Sequence, residues 1–388
     1  MIRYALKMLM GDRARYLGIL VGVAFASLLI TQQGAVFVGL MERTYSFVSD
    51  TPAPDLWVVD PDLEHHADSK PMLKQELYRV RGVEGVAWAV PMFKSFTKLR
   101  LPDGRRCGCI VIGVDDETLI GAPASISGGS GADLRLADAV LVDEADVSGK
   151  LGLTGNLAAA LGGRTRLSVG DVLELNDHRA VVAGTFKIQP SFFWDPVIYT
   201  TFTRAVSYSP SERKELSFIL VKAAPGTDLG ALAERIHAAT GLKAYTEQGF
   251  KRLTAMYILQ KTGILINFGI AVALGFIVGT VVAGQTFYNF TMENLKYFGA
   301  LKALGTSNRQ LVRMVLAQAG VVGVLGYGLG VGAASLFGAV LGGTALAFSL
   351  PWQLLGISGG AIIVICLLAA ALSMRRVLML EPGIVFRG

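Results

Sequence analysis

What this 388-residue sequence lacks most is chemistry: phosphate-binding loops, metal-binding helices, cysteine and charge are all absent or scarce. No G-x-x-x-x-G-K-[ST] occurs; Gly149-Lys150 is followed by Leu151, so no loop is built to cradle a nucleotide phosphate. No H-E-x-x-H occurs either. Segment 62–68, Asp-Leu-Glu-His-His-Ala-Asp, is dense in ligating side chains. It has no i,i+4 histidine spacing and reads as a solvated loop rather than a metal site. His178 and His237 have no neighbours that would complete a nucleophilic triad. The three cysteines offer little. Cys107 and Cys109 alternate on one face of an expected strand, where a bridge would be strained, and Cys366 lies in an apolar run. The chain carries no enzyme signature and is expected to bind no metal and no cofactor.

Charged residues make up 17% of the chain, against about 25% in soluble domains. Three uncharged runs show where the charge is missing: 16–41, 262–292 and 314–374. A bilayer core of roughly 30 Å needs about 20 helical residues, so the first two runs cross once and the third crosses twice. No Asp, Glu, Lys, Arg or His lies inside these runs. That argues against a self-contained ion pump or secondary transporter, which needs such groups within the membrane. Thr31, Gln32 and Gln33 are the polar group of span one; they are expected to face a partner helix, or to lie where the helix leaves the outer leaflet, rather than to bind a substrate.

The net charge of +6 could suggest nucleic acid, but its distribution says otherwise. Residues 42–261 carry 25 basic and 27 acidic groups, whereas 1–15, 293–313 and 375–388 together carry 11 and three. The excess flanks the apolar runs, as positive-inside topology requires, and no basic face is left for a nucleic acid. Arg3, Lys7, Arg13 and Arg15, then Lys296, Lys302, Arg309 and Arg313, then Arg375, Arg376 and Arg387 mark the cytoplasmic side. Lys251, Arg252 and Lys261 lie on the outer approach to span two, an exception the rule tolerates for long translocated loops. The triplet Ala24-Phe25-Ala26 resembles a signal-peptidase site, yet the uncharged run continues to Met41, which favours an uncleaved span.

The expected organisation is a cytoplasmic amphipathic helix (1–15), span one (16–41), an outer α+β domain (42–261) and span two (262–290). A cytoplasmic helix and loop (291–312), span three (313–341), a short outer turn (342–352), span four (353–374) and a cytoplasmic tail (375–388) follow. In the outer domain, strands are expected at 55–59, 109–113, 139–143, 172–175, 180–185, 197–199 and 218–221. Helical periodicity marks 72–80, 228–240 and 253–260, and 125–131 reads as a flexible loop. Small-xxx-small pairs recur in the spans: Gly18/Gly22, Gly275/Gly279, Gly326/Gly330, Gly328/Gly332, Gly338/Gly342 and Gly356/Gly360. They serve close helix packing within the chain or a seam between subunits.

The most informative stretch is 290–311, Phe-Thr-Met-Glu-Asn-Leu-Lys-Tyr-Phe-Gly-Ala-Leu-Lys-Ala-Leu-Gly-Thr-Ser-Asn-Arg-Gln-Leu. It is amphipathic, lies on the cytoplasmic side, and has Gly305 where a helix should stop. Leu295, Phe298, Leu301 and Leu304 recur every three residues, Lys296 and Lys302 flank them, and Ala300 leaves room for a partner surface. Here the sequence resembles the FtsX/MacB-type ABC transporter permeases, whose loop reads E-x-G/A-x-L-[KR]-A-[ILV]-G. Gly299, Leu301, Lys302, Ala303, Leu304 and Gly305 are the matching positions. The helix before span one (5–17), the 1+3 layout and the closing 382–387 (Pro-Gly-Ile-Val-Phe-Arg) agree. Segments 55–61 (Asp-Leu-Trp-Val-Val-Asp-Pro) and 82–86 (Gly-Val-Glu-Gly-Val) look most like the DevC branch. Where the family has an acidic residue in the loop this chain has Tyr297, and Glu293, one turn earlier, is the candidate replacement.

The resemblance implies a bacterial inner-membrane, multi-pass permease with both termini cytoplasmic, acting as a homodimer. A separate cytoplasmic ABC ATPase would bind ATP and Mg and supply hydrolysis. On this reading Phe298 and Leu301 insert into a groove of that ATPase. A periplasmic adaptor and an outer-membrane duct are the further partners implied, with export as the output. Activation of a cell-wall hydrolase, or extraction of a lipoprotein, is the alternative within the family. A membrane-anchored ligand-binding receptor is the alternative of another class.

Overall fold

The computed structural model describes residues 2–11, 13–68, 70–154, 165–190, 192, 195–209, 216–341 and 346–378. The closing 382–387 segment, with Arg387, and residues 342–345 of the outer turn, with Gly342, lie outside them. The chain divides into a unit made of residues 1–41 and 263–388, and a unit made of 42–262. Together they give a polytopic helical membrane protein with four transmembrane helices in a 1+3 arrangement and a large α+β domain after the first.

The membrane unit begins with the helix Ile2–Gly11, which buries Ala5 and Leu9. Spans one to four are the helices Arg13–Thr44, Ile264–Glu293, Asn308–Leu341 and Trp352–Leu378. Each presents apolar side chains outward, Val281, Val324 and Leu372 among them, as lipid requires of a spanning helix. Inward-facing Val23, Ala26, Phe287, Val322, Ile365 and Ala369 form the shared core. Several glycine pairs face other spans of the same chain. A Cβ on Gly326 would meet Val23 Cγ1 at 2.7 Å, one on Gly22 would meet Val282 Cγ1 at 2.8 Å, and one on Gly279 would collide with Ala26. Gly328, Gly332, Gly356 and Gly360 have nothing within 4 Å. The repeated spacing thus serves two faces, one closed within the chain and one open. Thr31 is fully buried in span one, with Gln32 and Gln33 half-buried beside it. Span three also holds a polar residue with a defined partner: buried Gln318 donates from Nε2 to the Ala5 carbonyl at 2.8 Å, pinning the N-terminal helix.

In the outer unit, the described strands are β1 (Leu56–Val59), β2 (Val86–Arg100), β3 (Arg106–Val114), β4 (Ile126–Gly128) and β5 (Ala139–Asp143). They continue with β6 (Val172–Leu175), β7 (His178–Phe186), β8 (Val197–Thr201), β9 (Phe218–Ala223) and β10 (Lys243–Thr246). The strand order is β10-β1-β9-β2-β3-β8-β5-β7-β4, with β6 on β2 and β7. The β3/β8 and β5/β7 pairs are parallel and the others antiparallel. Segment 125–131 is therefore not a free loop. It contains β4, and Ser127 Oγ lies 3.2 Å from Thr185 Oγ1.

β2 holds the two halves of the sheet together. Its first half pairs β9 and its second half pairs β3. At the changeover Ser217 Oγ accepts from Lys94 N–H at 2.9 Å and donates to the Lys94 carbonyl at 3.1 Å, replacing ladder bonds at the corner. Alternate side chains feed two cores. Val58, Phe93 and Val111 pack with the helices Lys74–Arg81 and Leu229–Thr240 through Leu77, Val80, Leu232 and Ile236. Trp57, Met92, Ile112 and Phe218 pack with Phe250 of the helix Glu247–Lys261. That helix starts well before 253, because Thr246 caps it on Gly249 N–H at 3.2 Å and Phe250 is fully buried.

Three carboxyls of this unit are displaced furthest upward. Burial pushes Asp50, Asp143 and Asp146 up to about 6, with Asp143 raising the other two further. Asp50 accepts from Gln189 N–H at 3.1 Å and Asp143 from Ala145 N–H at 3.4 Å, and these bonds only partly offset the burial. Each carboxyl holds its proton more tightly folded than unfolded. Its contribution is fully present below the unfolded value of 3.8 and is lost as pH rises through about 6. As pH falls from about 7.5 to about 5.5 the share of these carboxyls is a rise in the unfolding midpoint of the outer unit, followed by tryptophan fluorescence in the full chain, opposed by buried Lys94 and His66, whose values are lowered. Asp143→Asn should flatten that rise; an unchanged slope would contradict the assignment.

Candidate functional site

The cytoplasmic stretch after span two is built by two breaks in the helix. Span two ends at Glu293, and Asn294 leaves helical geometry while its Nδ2 donates to the Phe290 carbonyl at 2.8 Å. A short helix then runs Leu295–Ala303. Gly305, at φ +91°, reverses the chain. Gly305 N–H bonds the Lys302 carbonyl and Thr306 N–H the Leu301 carbonyl, both at 3.1 Å, the paired closure of a Schellman motif. Ser307 N–H then donates to Gln310 Oε1 at 3.1 Å as span three begins.

The nine candidate residues fall on two faces. Phe298 is fully buried in the membrane-unit core, in the cluster that holds Phe290, Leu311 and Met314. Leu301 packs half-buried against the same cluster, and Lys302 is half-buried. Lys296, Tyr297, Ala300, Leu304 and Gly305 are exposed, as is Glu293 at the end of span two. Tyr297 is 64% exposed and Leu304 84%. This corrects the expectation that Phe298 and Leu301 reach outward. A three-residue repeat drifts around a helix, and packing on the spans takes Phe298 inward, leaving Tyr297, Ala300 and Leu304 at i, i+3 and i+7 as the outward stripe. The tyrosine where an acid was expected is therefore the large apolar surface of this face, with Glu293 and Lys296 at its edge.

A second constellation emerges in the outer unit, inside the 62–68 segment expected to be solvated. His66 is half-buried, and both ring nitrogens are engaged. Nε2 lies 2.6 Å from the Thr44 carbonyl and Nδ1 2.7 Å from Lys94 Nζ. Lys94 is buried in β2, and burial lowers its ammonium to about 7. Burial also holds His66 well below the usual histidine range, with the Lys94 charge adding to the effect. Among the described residues no group of three or more His, Cys, Asp or Glu could hold a metal ion. Cys107 and Cys109 are free thiols, and burial pushes the Cys109 thiol up.

Two family profiles cover nearly all of this architecture. The MacB-like periplasmic core domain matches residues 16–239, and the FtsX-like permease C-terminal region matches residues 264–382. The chain belongs to the FtsX/MacB-type ABC transporter permease family. An uncharacterised ABC transporter permease of Methanocaldococcus jannaschii is 27% identical over 165 residues, covering 41% of each chain. The chain thus spans about two fifths of the length of the curated relative it matches. Similar solved structures include the extracellular domain of the noncanonic ABC-type transporter YknZ from Gram-positive bacteria. It has 14% identity and a TM-score of 0.33, and covers 50% of this chain and 98% of that one. The periplasmic region of MacB from Actinobacillus actinomycetemcomitans has 12% identity and a TM-score of 0.37, covering 53% and 96%.

Proposed function

We propose that this chain is the permease subunit of an ABC exporter of the mechanotransmission kind, closest to the DevC branch. A separate cytoplasmic ATPase binds and hydrolyses MgATP, and its movement is passed through the spans to the outer domain. The observation that carries the reading is the helix Leu295–Ala303. It is bracketed by a break at Asn294 and a left-handed Gly305, fixed to its unit by Phe298, and left with an outward stripe of Tyr297, Ala300 and Leu304. A helix tethered on one face and bare on the other, between two spans, suits the transfer of a rigid push. Lys296 and Glu293 beside the stripe supply charges for orienting the partner.

Assembly as a homodimer is part of the proposal, and the open glycines 328, 332, 356 and 360 support it by leaving helix faces that another backbone can approach. A periplasmic adaptor and an outer-membrane duct complete the proposed path. The test is affinity purification of the full chain from membranes. A cytoplasmic ATPase is expected to accompany it, with ATP hydrolysis that disappears when that partner is stripped away. Hydrolysis that stays with the stripped chain, or purification with no ATPase at all, would overturn the reading.

A further inference from the structure

Residue 66 stands where the two chain crossings of the outer unit meet its sheet. The helix of span one continues to Thr44, and side chains of the outer unit meet the carbonyls at its end. His66 meets one of them at Nε2, and a carbonyl can only accept, so Nε2 carries the imidazole hydrogen and Nδ1 is the acceptor for Lys94. Lys94 Nζ also lies 3.5 Å from the His66 carbonyl. The third tie is to the helix Glu247–Lys261, separated from span two by only two residues: His66 N–H donates to Thr254 Oγ1 at 3.4 Å. Next to it, His65 packs on Tyr257 of that helix with ring centroids 4.3 Å apart.

Aromatic packing fixes this junction from the side. Phe47, three residues beyond the end of span one, stacks on His66 at 5.4 Å and lies under Lys94 Nζ at 4.1 Å. The same ring contacts Trp57 of β1 and Phe218 of β9. Lys94 is in turn the corner residue at which β2 passes from one half of the sheet to the other. A small group of side chains therefore joins the entering helix, the exiting helix and the strand common to both half-sheets.

We propose that His66 is a coupling node: bonded to Thr44, Thr254 and Lys94, it carries displacement of the first two spans into β2. This rests on the transmission reading above, and His66 and Lys94 act as positioning residues within it. The hydrogen bonds to Thr44 and Thr254 are what transmit; the stacking on Phe47 holds the ring at the right angle. His66→Phe keeps the stack and removes both ring bonds. Lys94→Met keeps the volume and removes the donor to His66 Nδ1, so it tests the same tie from its other end.

The experiment is hydrogen exchange on the full chain in complex with its co-purified ATPase, with and without MgATP, read at 44–50 and at 86–100. In the native complex both segments are expected to change on MgATP. In His66→Phe and Lys94→Met complexes that stay folded, the response at 44–50 should persist while that at 86–100 falls at least fivefold. A merely structural role would lower stability and transmission together. An undiminished response at 86–100 in the folded Lys94→Met complex would overturn the node alone. No response at either segment in the native complex would remove the transmission reading and the node with it.

Discussion

Phe298→Ala is expected to destabilise the membrane unit by about 3–5 kcal/mol, the usual cost of emptying a buried aromatic site. Tyr297→Ala combined with Leu304→Ala should leave that unit intact and release the proposed ATPase partner. The two outcomes separate because neighbouring residues of one short helix face opposite ways. Phe298 is fully buried among the span residues, whereas Tyr297 and Leu304 are largely exposed. Truncating an apolar anchor that becomes desolvated at an interface typically costs about 2 kcal/mol or more, roughly a thirtyfold loss of affinity. Thermal stability in detergent and recovery of the co-purifying ATPase measure the two effects side by side. A Phe298→Ala chain as stable as the native one that fails to hold the ATPase would return the docking role to Phe298.

Gly330→Leu is expected to be as damaging, by overpacking instead of by cavity. A Cβ on Gly330 would lie 2.6 Å from the Ala24 carbonyl oxygen and 2.6 Å from Ser27 Oγ. Ser27 itself donates to the Tyr327 carbonyl at 3.2 Å, so spans one and three approach closely enough for a hydroxyl to bridge them. Backbone on the opposing helix cannot swing aside as a side chain can. Overpacking of a close-packed site costs typically 1–3 kcal/mol, and a leucine here belongs at the upper end or beyond. Gly328→Leu, two residues away and facing open space, should leave the monomer fold unchanged. Comparing the two variants by thermal stability tests the assignment of faces; equal loss in both would show that Gly330 is sensitive only because helical glycines are.

Much of this architecture is legible in the sequence where the solvent imposes a rule. Lipid demands about 20 uncharged helical residues, so the spans announce themselves. β-branched alternation exposes β5, β6 and β8. β2 is harder to read. Pro91, Lys94 and Lys98 interrupt its apolar pattern, because the strand serves two half-sheets and Lys94 turns inward at their corner. His66 reads as solvated because its partners lie 22, 28 and 188 positions away, at Thr44, Lys94 and Thr254. No local pattern carries such a tie. The cytoplasmic helix falls between these cases. Its existence and its stop at Gly305 follow from local chemistry, but a three-residue stripe does not say which of Phe298 and Leu304 meets the core. Gln318 shows the same limit: one amide in an apolar span gives no hint that its acceptor is Ala5.

The continuity of β2 has a consequence for how the outer unit comes apart. Fifteen extended residues reach roughly 50 Å, and along that length one strand supplies ladder bonds to β9, β3 and β6. Neither half-sheet can melt alone without stripping hydrogen bonds from a strand that the other half still needs. The unit therefore opens as one cooperative block, and its slowest-exchanging amides belong on β2 and its immediate neighbours rather than on two independent lobes.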